Sequence, residues 1–183
     1  MQFFDVLDSR ASALRLTEPG PTPEQLDRIL AAGVRAPDHG RLSPWRFVVL
    51  EGDARGVLGQ AMADAFAAMR PEAGPGDLQR ERDKVMRAPT IVVVAAAVRP
   101  HPKAPPLEQI ETVAAGAHNM MLAAHALGLG AMWKTGAPAE APGVKAALGL
   151  DPEDVVVGFM YFGAVQTAGE PRGVDHRPLT RRL

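Results

Sequence analysis

Apolar residues change their spacing several times along the chain, and each change marks an element. Phe3, Phe4, Val6 and Leu7 surround a short amphipathic helix over residues 2–8, which gives way to the polar stretch Asp8-Ser9-Arg10-Ala11-Ser12. Thr22-Pro23-Glu24-Gln25 places an N-cap residue before a proline, with glutamine three residues after the cap, as a helix start requires. Leu26, Ile29 and Leu30 share one face of that helix, which is expected to stop near Arg35 because Ala36 precedes Pro37 and the residue before a proline avoids the helical region. Phe47-Val48-Val49-Leu50 predicts a short buried strand within 46–51, and the Ala- and Met-rich stretch 53–69 predicts a helix. Residues 71–76 break it, and the charged segment that follows reads as an exposed helix or a mobile excursion near 71–83.

A second buried strand is expected at 90–98, then a proline-rich crossover through Pro100, Pro102, Pro105 and Pro106. Residues 107–127 carry the longest helical pattern, with Ile110, Val113, Ala117, Met120, Met121, Ala124 and Leu127 near helical spacing. Ala114, Ala115, Gly116 and Ala117 leave this helix thin enough for another helix to approach; core burial and a dimer contact both account for the pattern. Gly128 and Gly130 end it, and a short strand 131–134, a small helix 142–148 and a long strand 155–165 follow, before a polar, extended C-terminal arm, 166–183. Alternating strands and helices suggest a sandwich in one domain, 1–183. A glycine-rich turn after the first long strand, the mark of a doubly wound nucleotide fold, is absent: the chain there reads Glu51-Gly52-Asp53-Ala54-Arg55.

Composition narrows the chemistry. A formal net charge of -1 gives no global positive field to gather nucleic acid or an anionic membrane, and the longest apolar run, 91–98, is far too short to span one. The absence of cysteine removes disulfides, thiolate metal sites and a cysteine nucleophile, and fits a cytoplasmic location; the first ten residues show no secretory pattern. Ser9, Ser12 and Ser43 lie outside any nucleophile-elbow sequence. His118 and His125 sit seven residues apart on one helix, about 10 Å along its axis, too far to share a metal. What remains is a scatter of cationic and small polar residues at element ends: Arg10 with Ser12, Arg35 with His39, Trp133 with Lys134 and Thr135, and Arg177. Arginine and serine beside turns can hold phosphate through charge-assisted hydrogen bonds.

Taken in order, Arg10-Ala11-Ser12, the run Ala32-Gly33-Val34-Arg35-Ala36-Pro37-Asp38-His39, Ser43-Pro44-Trp45-Arg46-Phe47, Arg87-Ala88-Pro89, Ala115-Gly116 and Trp133-Lys134-Thr135-Gly136 resemble the nitroreductase family, most closely its compact bacterial branch. The resemblance implies an α+β fold, a three-layer α/β/α sandwich with a mixed, largely antiparallel sheet, in an intertwined homodimer with FMN at the interface. It implies that Arg10, Ala11 and Ser12 clamp the FMN phosphate, that Arg35 and His39 contact the flavin, and that Trp133, Lys134, Thr135 and Gly136 border its N5. Arg177 is a further phosphate candidate from the arm, and Ala123, Ala124, His125, Ala126, Leu127 and Gly128 match a region expected to meet the nicotinamide nucleotide. The implied reaction is ping-pong, from NADH or NADPH through the flavin to a nitroaromatic, quinone or related small-molecule acceptor; a flavin-binding or flavin-sequestering protein without nicotinamide turnover is the alternative. Segments 71–83 and 100–106 are expected to border the substrate opening, and Trp45 is expected to serve packing. One departure stands out: many relatives carry Arg or Lys where this chain has Leu14. Arg35 is expected to supply the missing charge near flavin N1, with Arg15 as a substitute that also reads as an ordinary surface arginine.

Overall fold

Strand β3 (Thr90–Ala96) is buried along its whole length, because helices cover both faces of the sheet it centres. The computed structural model that shows this describes residues 2–183. Successive side chains of a strand point to opposite faces, so Ile91, Val93 and Ala95 enter one core while Val92, Val94 and Ala96 enter the other. β2 (Trp45–Glu51) and β5 (Val155–Thr167) flank β3, and β5 also pairs with β4 (Gly130–Lys134) and β1 (Arg15–Thr17). All of these pairings are antiparallel, so within one chain the expected mixed sheet is an antiparallel one. The β3–β5 register shifts between Val94 and Ala95, whose partners are Gly158 and Val156. The extra residue on β5 reverses its alternation, which is why Val156 and Phe159, three apart, face the same core.

The helices supply the outer layers. Ile29 of α2 (Pro23–Gly33) packs with Val113, Ala117, Met120, Met121 and Ala124 of α5 (Pro106–Ala126) on one face. Leu58, Ala61 and Met62 of α3 (Arg55–Met69) and Val144 of α6 (Pro142–Ala147) cover the other. The result is the three-layer α/β/α sandwich. The thin face of α5 meets α2 of the same chain: a Cβ on Gly116 would overlap the Gly33 carbonyl and lie 2.8 Å from Trp45 Nε1. The apolar stripe of α5 is therefore core. Trp45 packs in that core as expected, with its Nε1 buried and no hydrogen-bond partner for it among the described residues.

The capping box at Thr22 forms, with Gln25 N–H donating to Thr22 Oγ1 at 3.3 Å and Thr22 N–H to Gln25 Oε1 at 2.9 Å. α2 ends at Gly33, two residues before the expected stop. Three elements differ from the sequence pattern or go beyond it. α1 (Phe3–Ser9) buries only Val6, leaving Phe3 63% and Phe4 72% exposed. β1 was invisible in the pattern because three residues cannot show a period. The segment near 71–83, read from the sequence as an exposed helix or a mobile excursion, is mostly helix α4 (Pro75–Asp83), the first of those readings, and is seated on α3. Gly59 admits the Arg82 carbonyl there, 2.8 Å from where its Cβ would stand, and Glu81 and Val85 are buried.

The α2–α5 contact gives a direct test. Gly116→Ala drives a methyl into a backbone carbonyl that cannot rotate away; overpacking of this kind costs about 1–3 kcal/mol, more than the helix-propensity gain of about 1 kcal/mol. A fall in Tm of about 2–6 °C is expected for a domain of this size. An unchanged or raised melting temperature would mean that the two helices do not touch at this point.

Candidate functional site

After α1 the chain runs extended across the end of the sheet, where Ala13 N–H donates to the Ala131 carbonyl at 3.0 Å and Leu14 N–H to that of Thr167 at 2.9 Å. These bonds to β4 and β5 fix Arg10, Ala11 and Ser12 along one wall of a cavity of about 510 Å³, opposite Ala168, Gly169, Glu170 and Arg172. Leu14, 67% exposed, is also part of that wall. Its side chain borders a second cavity of about 320 Å³, together with Arg15, Leu16, Arg87, Met132, Lys134 and Gln166. The two cavities thus share Leu14. Among the described residues no carboxylate lies within ion-pair distance of Arg10, Arg15, Arg87, Lys134 or Arg172. Cations left without counter-charges at a concave surface make a binding place for anions.

Helix α5 passes behind this region. Ser9 Oγ and His125 Nε2 are hydrogen-bonded at 2.8 Å, and a small cavity of about 90 Å³ separates His125 from Ala11 and Ala13. Of the segment expected to meet a nicotinamide nucleotide, Ala124 is wholly buried in the core and Ala123 and Leu127 pack against it. Gly128 takes φ +80° as the helix cap. Ala126 and Gly128 are exposed, and Ala123, His125 and Leu127 are half-buried. One helical repeat before His125, His118 is held below the usual histidine pKa, first by desolvation and then by the positive charge of Arg10.

Arg35 and His39 form a separate group. Arg35 is exposed just past α2, and His39 Nδ1 meets Glu108 Oε2 at 2.5 Å in the first turn of α5. The loop that carries His39 is built tightly: the Asp38 carboxylate accepts from Leu42 N–H at 3.1 Å and Ser43 N–H at 2.8 Å. Arg99 donates to the Leu42 carbonyl, and Thr112 Oγ1 to that of Pro37 at 2.9 Å. Arg41 and Ser43 adopt φ +52° and +51° there, strain that only a strongly determined loop retains. Neither Arg35 nor His39 lines the Arg10 cavity or its neighbour; Glu108, which holds His39, and His118 are ten residues apart on α5, about 15 Å of helix. Arg35, expected to replace the charge missing at Leu14, lines neither cavity; Arg15, Arg87 and Lys134 are the cations that share the second cavity with Leu14.

The stretch Trp133 to Gly136 leaves the end of β4. Trp133 Nε1 donates to the Val157 carbonyl at 3.2 Å, Lys134 enters the second cavity, and the loop turns through Thr135 to Gly136 at φ +115°, a conformation only glycine takes without strain. Arg177 is apart: its N–H and Nε donate to Asp175 at 3.0 and 2.9 Å within the exposed arm. Arg172, five residues earlier, takes the place beside Arg10 and Ser12. Nothing in the sequence distinguishes these two arginines, because the arm has no period. Segments 71–83 and 100–106 do not border one opening either, since α4 sits on α3 while His101 lies against Gly40, near His39.

A larger groove of about 770 Å³ between α3 and α6 is walled by small apolar residues with Gln60, Asp64 and Glu140, and contains none of the expected site residues. Among the described residues no group of three metal-ligating side chains exists, and no helix is long and apolar enough to cross a membrane. The proximity of Arg10 to His118 is testable by proton NMR. His118 should titrate below 6.5, and Arg10→Gln should raise its pKa only part of the way, because desolvation is the larger cause. A depressed histidine pKa contributes stability above its unfolded value that is lost as pH falls through the folded one. A His118 pKa indifferent to Arg10 would refute the proximity.

The model of the nitroreductase family matches residues 9–164. The chain is 39% identical over 168 residues to YdjA of Escherichia coli strain K12, described as a candidate NAD(P)H nitroreductase, covering 91% of this chain and 90% of that protein. It is 31% identical over 164 residues to a similarly described protein of Haemophilus influenzae, covering 89% and 88%. A nitroreductase-like family protein from Bacillus cereus shares the fold at a TM-score of 0.84 and 22% identity, over 100% of this chain and 96% of that one. A nitroreductase with bound FMN from Bacteroides fragilis does so at 0.77 and 22%, over the whole of both chains. By the family match and the identity to YdjA, the chain belongs to the nitroreductase family.

Proposed function

We propose that the protein is an FMN-dependent oxidoreductase that takes electrons from NADH or NADPH and passes them to a nitroaromatic, quinone or related small-molecule acceptor. One observation carries this reading: two cavities that share Leu14 present an excess of cations outside any ion pair, Arg10 and Arg172 against Glu170 in one and Arg15, Arg87 and Lys134 in the other. FMN has that shape, with a phosphate dianion at one end and a polar pyrimidine edge at the other. Arg10 and Arg172 have the charge for the phosphate, and Ser12 has the hydroxyl to donate to it. The second cavity, floored by Leu16 and Met132, offers an apolar base for the ring, with the Lys134 to Gly136 loop at its rim.

Bound FMN would supply hydride and electron transfer at its N5, so the chain needs no side-chain nucleophile or general base. The protein's residues bind, orient and exclude water: Leu14, Leu16 and Met132 withhold solvent from one side, and the positive-φ turn at Gly136 sets the backbone beside the ring. The names of the relatives, candidate NAD(P)H nitroreductases, favour nicotinamide donors. Donor and acceptor would use the same open face in turn, a ping-pong order. A homodimer is part of this reading. Neither Arg35 nor His39 lines either cavity, so they would meet a flavin held in a partner subunit; exposed Phe3 and Phe4 provide apolar surface for such a contact.

The purified protein should be yellow or take up FMN as apoprotein, and anaerobic NADH or NADPH should bleach it. Arg10→Ala should weaken FMN binding by about ten- to a hundredfold, since a hydrogen bond to a charged group contributes about 1.5–3 kcal/mol; flavin fluorescence titration measures this. A yellow protein bleached by neither nucleotide would instead be a flavin-holding protein. A colourless protein that takes up no FMN would end the proposal.

A further inference from the structure

The missing cation at Leu14 leaves a question that the cavity geometry addresses. Reduction by hydride adds two electrons and one proton to a flavin, and the ring keeps one negative charge over N1 and the C2 carbonyl until a further proton is taken up. A nearby cation holds the reduced form more tightly than the oxidised form, because only the former carries that charge. Leu14 cannot supply it, and Arg35 lies elsewhere in the chain.

We infer that Arg87 is the cation that faces the pyrimidine edge of the flavin in this chain, a reading that rests on the FMN site proposed above. Arg87 lines the same 320 Å³ cavity as Leu14 and Lys134, and among the described residues it has no ion-pair or hydrogen-bonded acid to compete for it. Its backbone is anchored: Val85 and Ala88 are 1% and 2% exposed on either side of it, and Arg55 Nη1 donates to the Ala88 carbonyl at 2.6 Å. The side chain therefore leaves a fixed base, which lowers the cost of presenting its charge. Its field also reaches Tyr161, whose phenol burial pushes upward in pKa and Arg87 pulls downward. Tyr161 is the β-sheet partner of Met132 on the cavity floor, so Arg87 stands over that floor. Arg15 borders the cavity too, but from the three-residue strand β1, where its register with β5 is irregular.

The test uses the FMN-loaded protein with Arg87→Gln, Arg87→Lys and Arg15→Gln, each checked for native circular dichroism and melting temperature. Sulfite adds to N5 of oxidised flavin and places the same negative charge at N1 without any nicotinamide or acceptor, so its dissociation constant reads the cation directly. Arg87→Gln should weaken sulfite binding about tenfold and loosen reduced FMN about tenfold relative to oxidised FMN, a potential about 30 mV lower for a two-electron couple. Arg87→Lys should restore most of both. If Arg87→Gln holds FMN with unchanged potential and sulfite affinity, the assignment is overturned. It is overturned equally if only Arg15→Gln shows the loss, or if Arg87→Gln weakens oxidised and reduced FMN alike, which would make Arg87 a general anchor. Failure of the wild-type protein to take up FMN is a different result, and would overturn the site itself.

Discussion

Gly116 rests directly on the carbonyl of Gly33, and most of what surrounds the candidate site follows from that contact. It brings α5 against α2 at backbone distance, which no residue with a side chain would allow. With α5 fixed there, its first turns hold the loop after α2, through Glu108 to His39 and Thr112 to Pro37. Its later turns hold the end of α1, through His125 to Ser9. One helix thereby spaces two groups of polar residues along its length, and its rise of 1.5 Å per residue keeps them apart within a single chain. The same distance that separates them here is what a second subunit would have to bridge.

Charge distribution gives the cleft its character. The chain is nearly neutral, and its ion pairs lie elsewhere, as in Asp77 with Arg80 and Glu81 with Lys84. Around Leu14 five cations face a single acid, Glu170, and among the described residues none of them is ion-paired. Concentrating unpaired positive charge at one concave place costs folding free energy through mutual repulsion, and only a bound anion relieves it. The larger groove between α3 and α6 has more volume but lacks this property: its polar residues include two acids and no base. Volume alone is a weaker guide to function here than the sign and pairing of the charges.

Strong local signals were legible in the sequence. The Thr22 cap, the buried period of β3, the long stripe of α5 and the order of short motifs each depend on neighbours within a few residues, so the chain states them outright. The nature of the pocket was legible in the same way, through residue types and motif order. Weak signals failed where the deciding contact was distant. β1 is too short for a period, α4 reads equally as a helix or a mobile excursion until Gly59 is seen to receive it, and Arg172 and Arg177 are alike until one of them lies beside Arg10.

By itself, then, the sequence determined the layered fold, the family and the polar residues available for chemistry, because periodicity, caps and motif order are local properties. The tertiary structure alone decided which of those residues meet. Leu14 borders both cavities, Arg87, some seventy positions later, lines one of them with it, and Arg35 lines neither. Such neighbours are set by antiparallel register and by a glycine-wide gap between two helices, quantities that depend on how distant segments pack and are written in no single stretch of chain.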